Sequence, residues 1–257
     1  MKTSILTAIL LITAGCSTAQ DELGPRAQSE DTVSTNYYEI VTPHGRLIIL
    51  LYDETPGHRD NFAKLVDEGF YNGTTFHRVI ANFMIQGGDP NSKNDDPMDD
   101  GLGGPGYTVP AEIDAARYHK RGAIAAARQA DQVNPTRSSS GSQFYFVHGG
   151  QPYEASTLTQ IQHRLRQQIP DPDFTFSAEA LADYETGGGA PHLDGMYTIF
   201  GEVVEGFDVL DSIGNAATAR STGENAHPSL IDQPLESITL EIRILPDYTP
   251  APPAPNE

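Results

Sequence analysis

The stretch FHRVIANFMIQGGD, residues 76–89, decides how this chain folds. Side chains alternate between the two faces of a strand. In a strand over residues 75–80, Phe76, Arg78 and Ile80 then share one face, and His77 and Val79 the other. Arg78 emerges amid apolar neighbours. Phe83 falls at a turn from which its ring can project into a cleft, and on the returning strand, residues 84–87, Met84 and Gln86 share a face.

Working outward, residues 37–41 alternate and residues 47–52 are strongly apolar, with Thr42-Pro43-His44-Gly45 between them, the pattern of a β-hairpin. A helix follows: Thr55 can cap it, Pro56 suits its first turn, Phe62, Leu65 and Val66 form an apolar face, and Gly69 can end it. Further short strands are expected at residues 122–127, 142–147 and 197–204, a helix at 207–213 and a closing strand at 238–244. Many short strands without a βαβ rhythm predict a mainly β fold, a closed antiparallel barrel capped by two helices. Residues 153–190 carry Leu158, Ile161, Leu165 and Ile169 at helical intervals, then Phe176, Ser177 and Leu181 arranged as a capped helix with a hydrophobic staple, so they read as a helical insertion.

The chain has 257 residues, and sixteen basic against thirty-five acidic ones give a net charge of -19. Such a balance opposes nucleic acid, whose attraction depends on clustered Lys and Arg. Residues 1–15 read as an export signal: Lys2 is followed by an apolar run over residues 5–12 that is too short to span a bilayer. The run ends at Thr13-Ala14-Gly15-Cys16, which resembles the lipobox of bacterial lipoproteins and implies lipidation of Cys16, although Thr13 departs from the usual aliphatic residue. Cys16 is the sole cysteine, which excludes an internal disulfide, a catalytic thiol in the domain and a Cys-based zinc site. Residues 16–35 have the composition of a flexible tether, residues 36–245 form the domain, and residues 246–257 are a Pro-rich tail. The expected product is a monomeric envelope protein facing the periplasm, touching the membrane only through its lipid.

Two further segments complete the pattern: GSQFYFV at residues 141–147, where Gln143 and Tyr145 share a face, and HLDGMYTIFGEVVEG at residues 192–206. An apolar slot, two amides and one guanidinium provide no activated nucleophile, no paired carboxylates and no metal ligands, so they suit a reaction that breaks no bond. Rotation about an Xaa-Pro bond is such a reaction, with a barrier of about 18–20 kcal/mol set by amide resonance.

Together the three segments resemble the cyclophilin family of peptidyl-prolyl cis/trans isomerases over most of residues 36–245, the insertion excluded. The resemblance implies that Arg78 is catalytic, that Phe83, Met84, Tyr145 and Leu193 wall the proline pocket, and that Gln86 and Gln143 bind the substrate backbone. His77 matches the family histidine beside the arginine, while Ala127, Arg128 and Gln129 match the residues that hold the position before proline. His192 stands where eukaryotic members have tryptophan, which implies weak cyclosporin binding. Tyr145 replaces a phenylalanine, Tyr197 a histidine and Arg128 an asparagine. No cofactor or metal is implied, and the partners are proline-containing unfolded or partly folded polypeptides. The alternative is a proline-binding or chaperone module with little turnover, a reading that retention of Arg78 opposes. Gly101, Gly103, Gly104 and Gly106 lie close together, but no Lys or Ser/Thr opens a helix after them, so chain reversal explains them better than phosphate binding.

Overall fold

The computed structural model describes residues 36–250; the expected export signal, Cys16, the expected tether and the last seven residues of the expected tail lie outside the described residues. The opening hairpin is as expected, β1 (Tyr37–Thr42) and β2 (Gly45–Leu51). Gly45 has a φ of +127°, and a Cβ there would come within 2.7 Å of Val209, so the turn and the helix packed on it both require glycine. Then comes α1 (Pro56–Asp67), with proline in its first turn. Thr55 does not cap it with its side chain. Glu112, from a distant loop, accepts from the amides of Gly57 and His58 at 2.9 Å each. A carboxylate meets the positive end of a helix better than a hydroxyl does.

The remaining strands are β3 (Thr74–Thr75), β4 (Arg78–Ile80), β5 (Met84–Gly87), β6 (Thr108–Val109), β7 (Ala123–Ala126), β8 (Ser139–Ser140), β9 (Phe144–Val147), β10 (Ile199–Glu205) and β11 (Thr239–Ile244). Among the described residues nine strands form one antiparallel sheet in the order β3-β11-β1-β2-β10-β7-β9-β5-β4, and β6 pairs with β8 apart from it. The edge strands β3 and β4 are pieces of one segment, which the sequence predicts as a single strand. It breaks at Phe76 and His77, β3 pairing with β11 and β4 with β5, and so it belongs to both ends of the rolled sheet and closes it. The break undoes the expected alternation: Phe76, 1% exposed, turns into the interior with Val79, while Arg78 faces out.

The barrel interior collects Ile40, Ile49, Ile85, Ile124, Phe144 and Phe146 from the sheet, Phe62 and Leu65 from α1, and Leu210 and Ile213 from α4 (Phe207–Gly214). Each fully buried aliphatic or aromatic side chain contributes about 1.5–3 kcal/mol. Residues 153–190, expected to be helical, contain α2 (Ala155–Gln168) and α3 (Ala178–Gly187). Ser177 caps α3, accepting from Ala180 N at 3.0 Å. Leu158, Ile161 and Leu165 pack with Phe174, Phe176 and Tyr184, and with Tyr118 and Met196 from the segments that lead into β7 and β10, so the apolar stripe is buried within this part of the fold. A short helix, α5 (Ala219–Thr222), escapes the sequence pattern; a reciprocal cap between Thr218 and Ser221 holds it.

Candidate active site

The outer face of the sheet builds the site from strand register. Arg78 lies opposite Gln86, Gln86 opposite Tyr145, and Tyr145 opposite Ala125, one row across β4, β5, β9 and β7. Directly opposed side chains stand on the same face, so Arg78, Gln86 and Tyr145 are brought side by side. In the next row Ile80 lies opposite Met84 and Met84 opposite Val147. Ala123 and Ala125 on β7 place only methyl groups beside these larger side chains. Met84, Tyr145, Val147 and Ile199 pack together there, with Phe83, Ala127, Leu193 and Tyr197 half-buried around them.

A chain of polar contacts crosses the rim of this apolar layer. Arg78 Nη1 donates to Gln86 Oε1 at 3.3 Å, and Gln86 Nε2 to Gln143 Oε1 at 3.0 Å. Gln143 Nε2 reaches the carbonyl oxygens of Gly101 and Gly103 at 3.0 and 2.8 Å and Asp89 Oδ2 at 3.3 Å, which fixes its amide so that its oxygen faces Gln86. At the other end Arg78 Nε lies 3.6 Å from Asp232 Oδ2. The Arg78 side chain remains 46% exposed. Asp232 and Asp89 are the residues that sequence reasoning missed here. Asp89 is the last letter of the opening motif, but no local signal connects Asp232 to Arg78.

Gln86 and Gln143 also line a groove of about 910 Å³ with Ala127, Arg128, Gln129 and the glycine loop at Gly101. The three residues matched to the position before proline are therefore beside the two amides. Arg128 is turned inward: Nε donates to Met196 O at 2.8 Å, Nη1 to Asp131 Oδ1 at 2.6 Å, and the guanidinium sits 4.5 Å from the centre of the Tyr197 ring. Asp131 also holds Arg137, which reaches Gln168 O at 2.8 Å and so ties the long loop to the end of α2.

On the far wall the rings of Phe83 and His192 lie 5.3 Å apart, and burial lowers the His192 pKa. The Tyr145 ring meets Tyr197 edge-on, and its hydroxyl lies 3.0 Å from His119 Nε2; burial pushes the phenol well above its usual pKa. His119, Asp194 and Tyr184, buried behind Tyr145, also escaped the sequence reading. His77 is not part of this assembly. It is buried on the other side of β4, against a cavity of about 390 Å³ lined by Phe76, Pro97, Leu230 and Gln233, and burial lowers its pKa. Among the described residues no cluster of three or more His, Cys, Asp or Glu side chains is placed to hold a metal ion.

Comparison with known proteins supplies the family. A family model described as cyclophilin type peptidyl-prolyl cis-trans isomerase/CLD matches residues 37–233. A Streptococcus pyogenes protein named for both phosphatase and peptidyl-prolyl cis-trans isomerase activities is 34% identical over 209 residues, 79% of this chain but 37% of that protein, so the chain spans well under half of that relative. The peptidyl-prolyl cis-trans isomerase of Helicobacter pylori is 32% identical over 190 residues, 72% of this chain and 85% of that one. The solved structure of a Cryptosporidium parvum cyclophilin type peptidyl-prolyl cis-trans isomerase, in the presence of the dipeptide Ala-Pro, shares the fold with a TM-score of 0.55 at 24% identity, covering 81% of this chain and 98% of that one. The family match starts with the first residue of β1, ends one residue past Asp232 and so takes in the whole cross-strand row, and the chain belongs to the cyclophilin-type peptidyl-prolyl cis-trans isomerases.

Proposed function

We propose that this isomerase accelerates Xaa-Pro rotation in exported polypeptides and assists their folding, with Arg78 as the catalytic residue. The observation that carries the assignment of Arg78 is the register row, which sets a half-exposed guanidinium beside the apolar cluster of Phe83, Met84, Tyr145 and Leu193, the proposed proline hollow. Amide resonance keeps the prolyl nitrogen planar in the ground state and withdraws its lone pair. As the bond twists, the nitrogen becomes pyramidal and can accept a hydrogen bond. A guanidinium always carries its protons, and a contact made only in the twisted state lowers the barrier by differential binding. Gln86 and Gln143 hold the substrate backbone, the hollow holds the proline ring, and the groove at Ala127, Arg128 and Gln129 receives the preceding residue.

The place of action rests on the N-terminal sequence. Lys2, the apolar run and Cys16 supply an export signal with a lipid attachment point, and residues 16–35 give the tether that lets a monomeric domain work at the periplasmic face. The acidic surface favours neutral and basic clients in that compartment.

The test is cis/trans exchange of a short Ala-Pro peptide, followed by NMR with the native protein and with Arg78→Ala. Acceleration by the native protein, nearly lost in the variant while peptide binding is kept, is the expected result. Binding without acceleration would make the protein a proline-binding module instead. Lipidation is read separately, by incorporation of labelled fatty acid that Cys16→Ala abolishes.

A further inference from the structure

Tyr145 follows Arg78 and Gln86 in the cross-strand row and is 5% exposed. A buried phenol must satisfy its hydroxyl, because leaving one unpaired costs about 1–3 kcal/mol. Its partner is His119 Nε2 at 3.0 Å, the two rings lying parallel with centroids 6.1 Å apart. His119 is wholly buried, and its hydrogen-bond roles follow from its other nitrogen. His119 Nδ1 lies 2.7 Å from Asp194 Oδ1, which also accepts the backbone N–H of His119 at 2.8 Å. A carboxylate only accepts, so Nδ1 bears a hydrogen; in the neutral ring Nε2 then presents its lone pair, and the Tyr145 hydroxyl donates away from the proline hollow.

Asp194 is itself 2% exposed, and among the described residues no Lys or Arg pairs with it. Its second oxygen accepts from Tyr184 Oη at 2.7 Å. Tyr184 comes from α3 of the insertion, and Gly189 lets its ring approach: a Cβ there would lie 2.7 Å from the Tyr184 ring. Three donors thus hold a carboxylate that, among the described residues, no Lys or Arg pairs with, and one of the donors belongs to α3. Asp194 also follows Leu193, the wall of the hollow, directly in the chain.

We propose that Tyr184 is a positioning residue for the isomerase reaction: through Asp194 and His119 it fixes the Tyr145 hydroxyl and the ring plane against which the substrate proline packs. The inference rests on the isomerase reading above. Without the Tyr184 hydroxyl, Asp194 keeps only the two donors on His119 and can rotate with them. His119 then no longer presents a fixed lone pair, and the Tyr145 ring gains freedom at the point where substrate must find a rigid wall. The insertion, on this view, stiffens the pocket from behind.

The test is a double-mutant cycle read by peptide exchange kinetics, with Tyr145 ring flipping followed by NMR as a readout independent of turnover. Tyr184→Phe should raise KM and lower kcat/KM about fivefold, in the range expected of residues coupled through one network, and should speed the flipping of Tyr145. In a Tyr145→Phe background, where no hydroxyl remains to be aimed, adding Tyr184→Phe should change neither kcat nor KM further. Equal losses in both backgrounds, or a lowered melting temperature with unchanged kinetics and ring flipping, would reduce Tyr184 to a packing residue and overturn the proposal. Should Tyr184→Phe fail to fold, Asp194→Asn enters the same cycle and must show the same dependence on Tyr145. If the native protein accelerates no peptide at all, the isomerase reading fails, while the ring-flip comparison still decides whether Tyr184 governs Tyr145.

Discussion

Within the cross-strand row, the run from Arg78 through Gln86 to Tyr145 has two ends that are built in opposite ways. Arg78, at one end, keeps a half-exposed side chain held by one hydrogen bond of 3.3 Å and one ion contact of 3.6 Å. Tyr145, at the other, is sealed from solvent and secured by contacts of 3.0, 2.7 and 2.7 Å that run through His119 and Asp194 to Tyr184. On the proposed mechanism the difference follows from what each end must do. A pocket wall binds the proline ring throughout the reaction, so rigidity there lowers the entropy lost on binding. A guanidinium that engages the prolyl nitrogen only as it pyramidalises gains from loose tethering, because a fully paired Arg78 would have to break a strong contact before making the useful one.

The largest expected effect is at the loose end. Arg78→Ala should lower kcat/KM by about 10²–10³-fold, the range found when a donor aimed at transition-state charge is removed. Peptide affinity, measured by NMR titration, and the urea midpoint should stay near the native values. Affinity falling in step with turnover would mean that both ends bind the ground state, and the contrast between them would collapse. Next in size is Asp194→Ala at the sealed end. It leaves the His119 N–H groups and the Tyr184 hydroxyl without their acceptor, at a cost of about 2–4 kcal/mol. The loss should appear in urea unfolding followed by far-UV circular dichroism. A midpoint unmoved by that change would show that the sealed end tolerates disorder as the Arg78 end does.

The loose end was also the legible one. Arg78, Phe83, Met84 and Gln86 lie within one strand-turn-strand segment, where alternation along β5 and the turn at Phe83 assign faces without knowledge of the rest of the chain. Gln143 and Tyr145 were legible for the same reason. Alternation failed at Phe76 because β3 and β4 serve different partner strands, a fact of sheet closure that no short window contains. The sealed end joins Tyr145, His119, Asp194 and Tyr184 from four separated segments, and nothing in the letters around His119 distinguishes it from any other polar residue in a loop. Arg128 reads as a groove residue by position, yet Asp131 and the Tyr197 face draw its charged head inward. Thr55 reads as a cap by type, and a distant carboxylate takes the work from it.

A smaller effect should separate Arg78 from its tether. Asp232→Asn keeps the shape of the side chain but removes the charge 3.6 Å from Arg78 Nε, in a pair whose arginine is nearly half exposed. Such pairs contribute at most about 1 kcal/mol, so kcat/KM should fall about threefold, and the gap between variant and native protein should narrow as salt is raised. A loss as large as that of Arg78→Ala would mean that Asp232 fixes the guanidinium rigidly, which would make the two ends alike.

The smallest effect comes from setting His77 against His119, two buried histidines beside the same sheet. His119 has a partner at each nitrogen, whereas among the described residues neither ring nitrogen of His77, at 6% exposure, has a partner in hydrogen-bond geometry. Burial depresses the His77 pKa; the charge of Asp89 opposes this shift and that of Arg78 adds to it. The unfolded chain titrates this group near its ordinary value of about 6.5. Below that pH the unfolded state takes up a proton that the folded state refuses, so His77 contributes a loss of stability as pH falls from about 7 toward its depressed folded value, with a ceiling of about 1.4 kcal/mol per pH unit. His77→Leu removes the group from the proton balance. Urea midpoints at about pH 7.5 and about pH 5.5 should then lie closer together in the variant than in the native protein, with the acid-side midpoint raised in the variant. An unchanged gap would mean that the folded protein protonates His77 as readily as the unfolded chain does, which requires a hydrogen-bonded, solvated ring on that side of β4 like the partnered one beneath Tyr145.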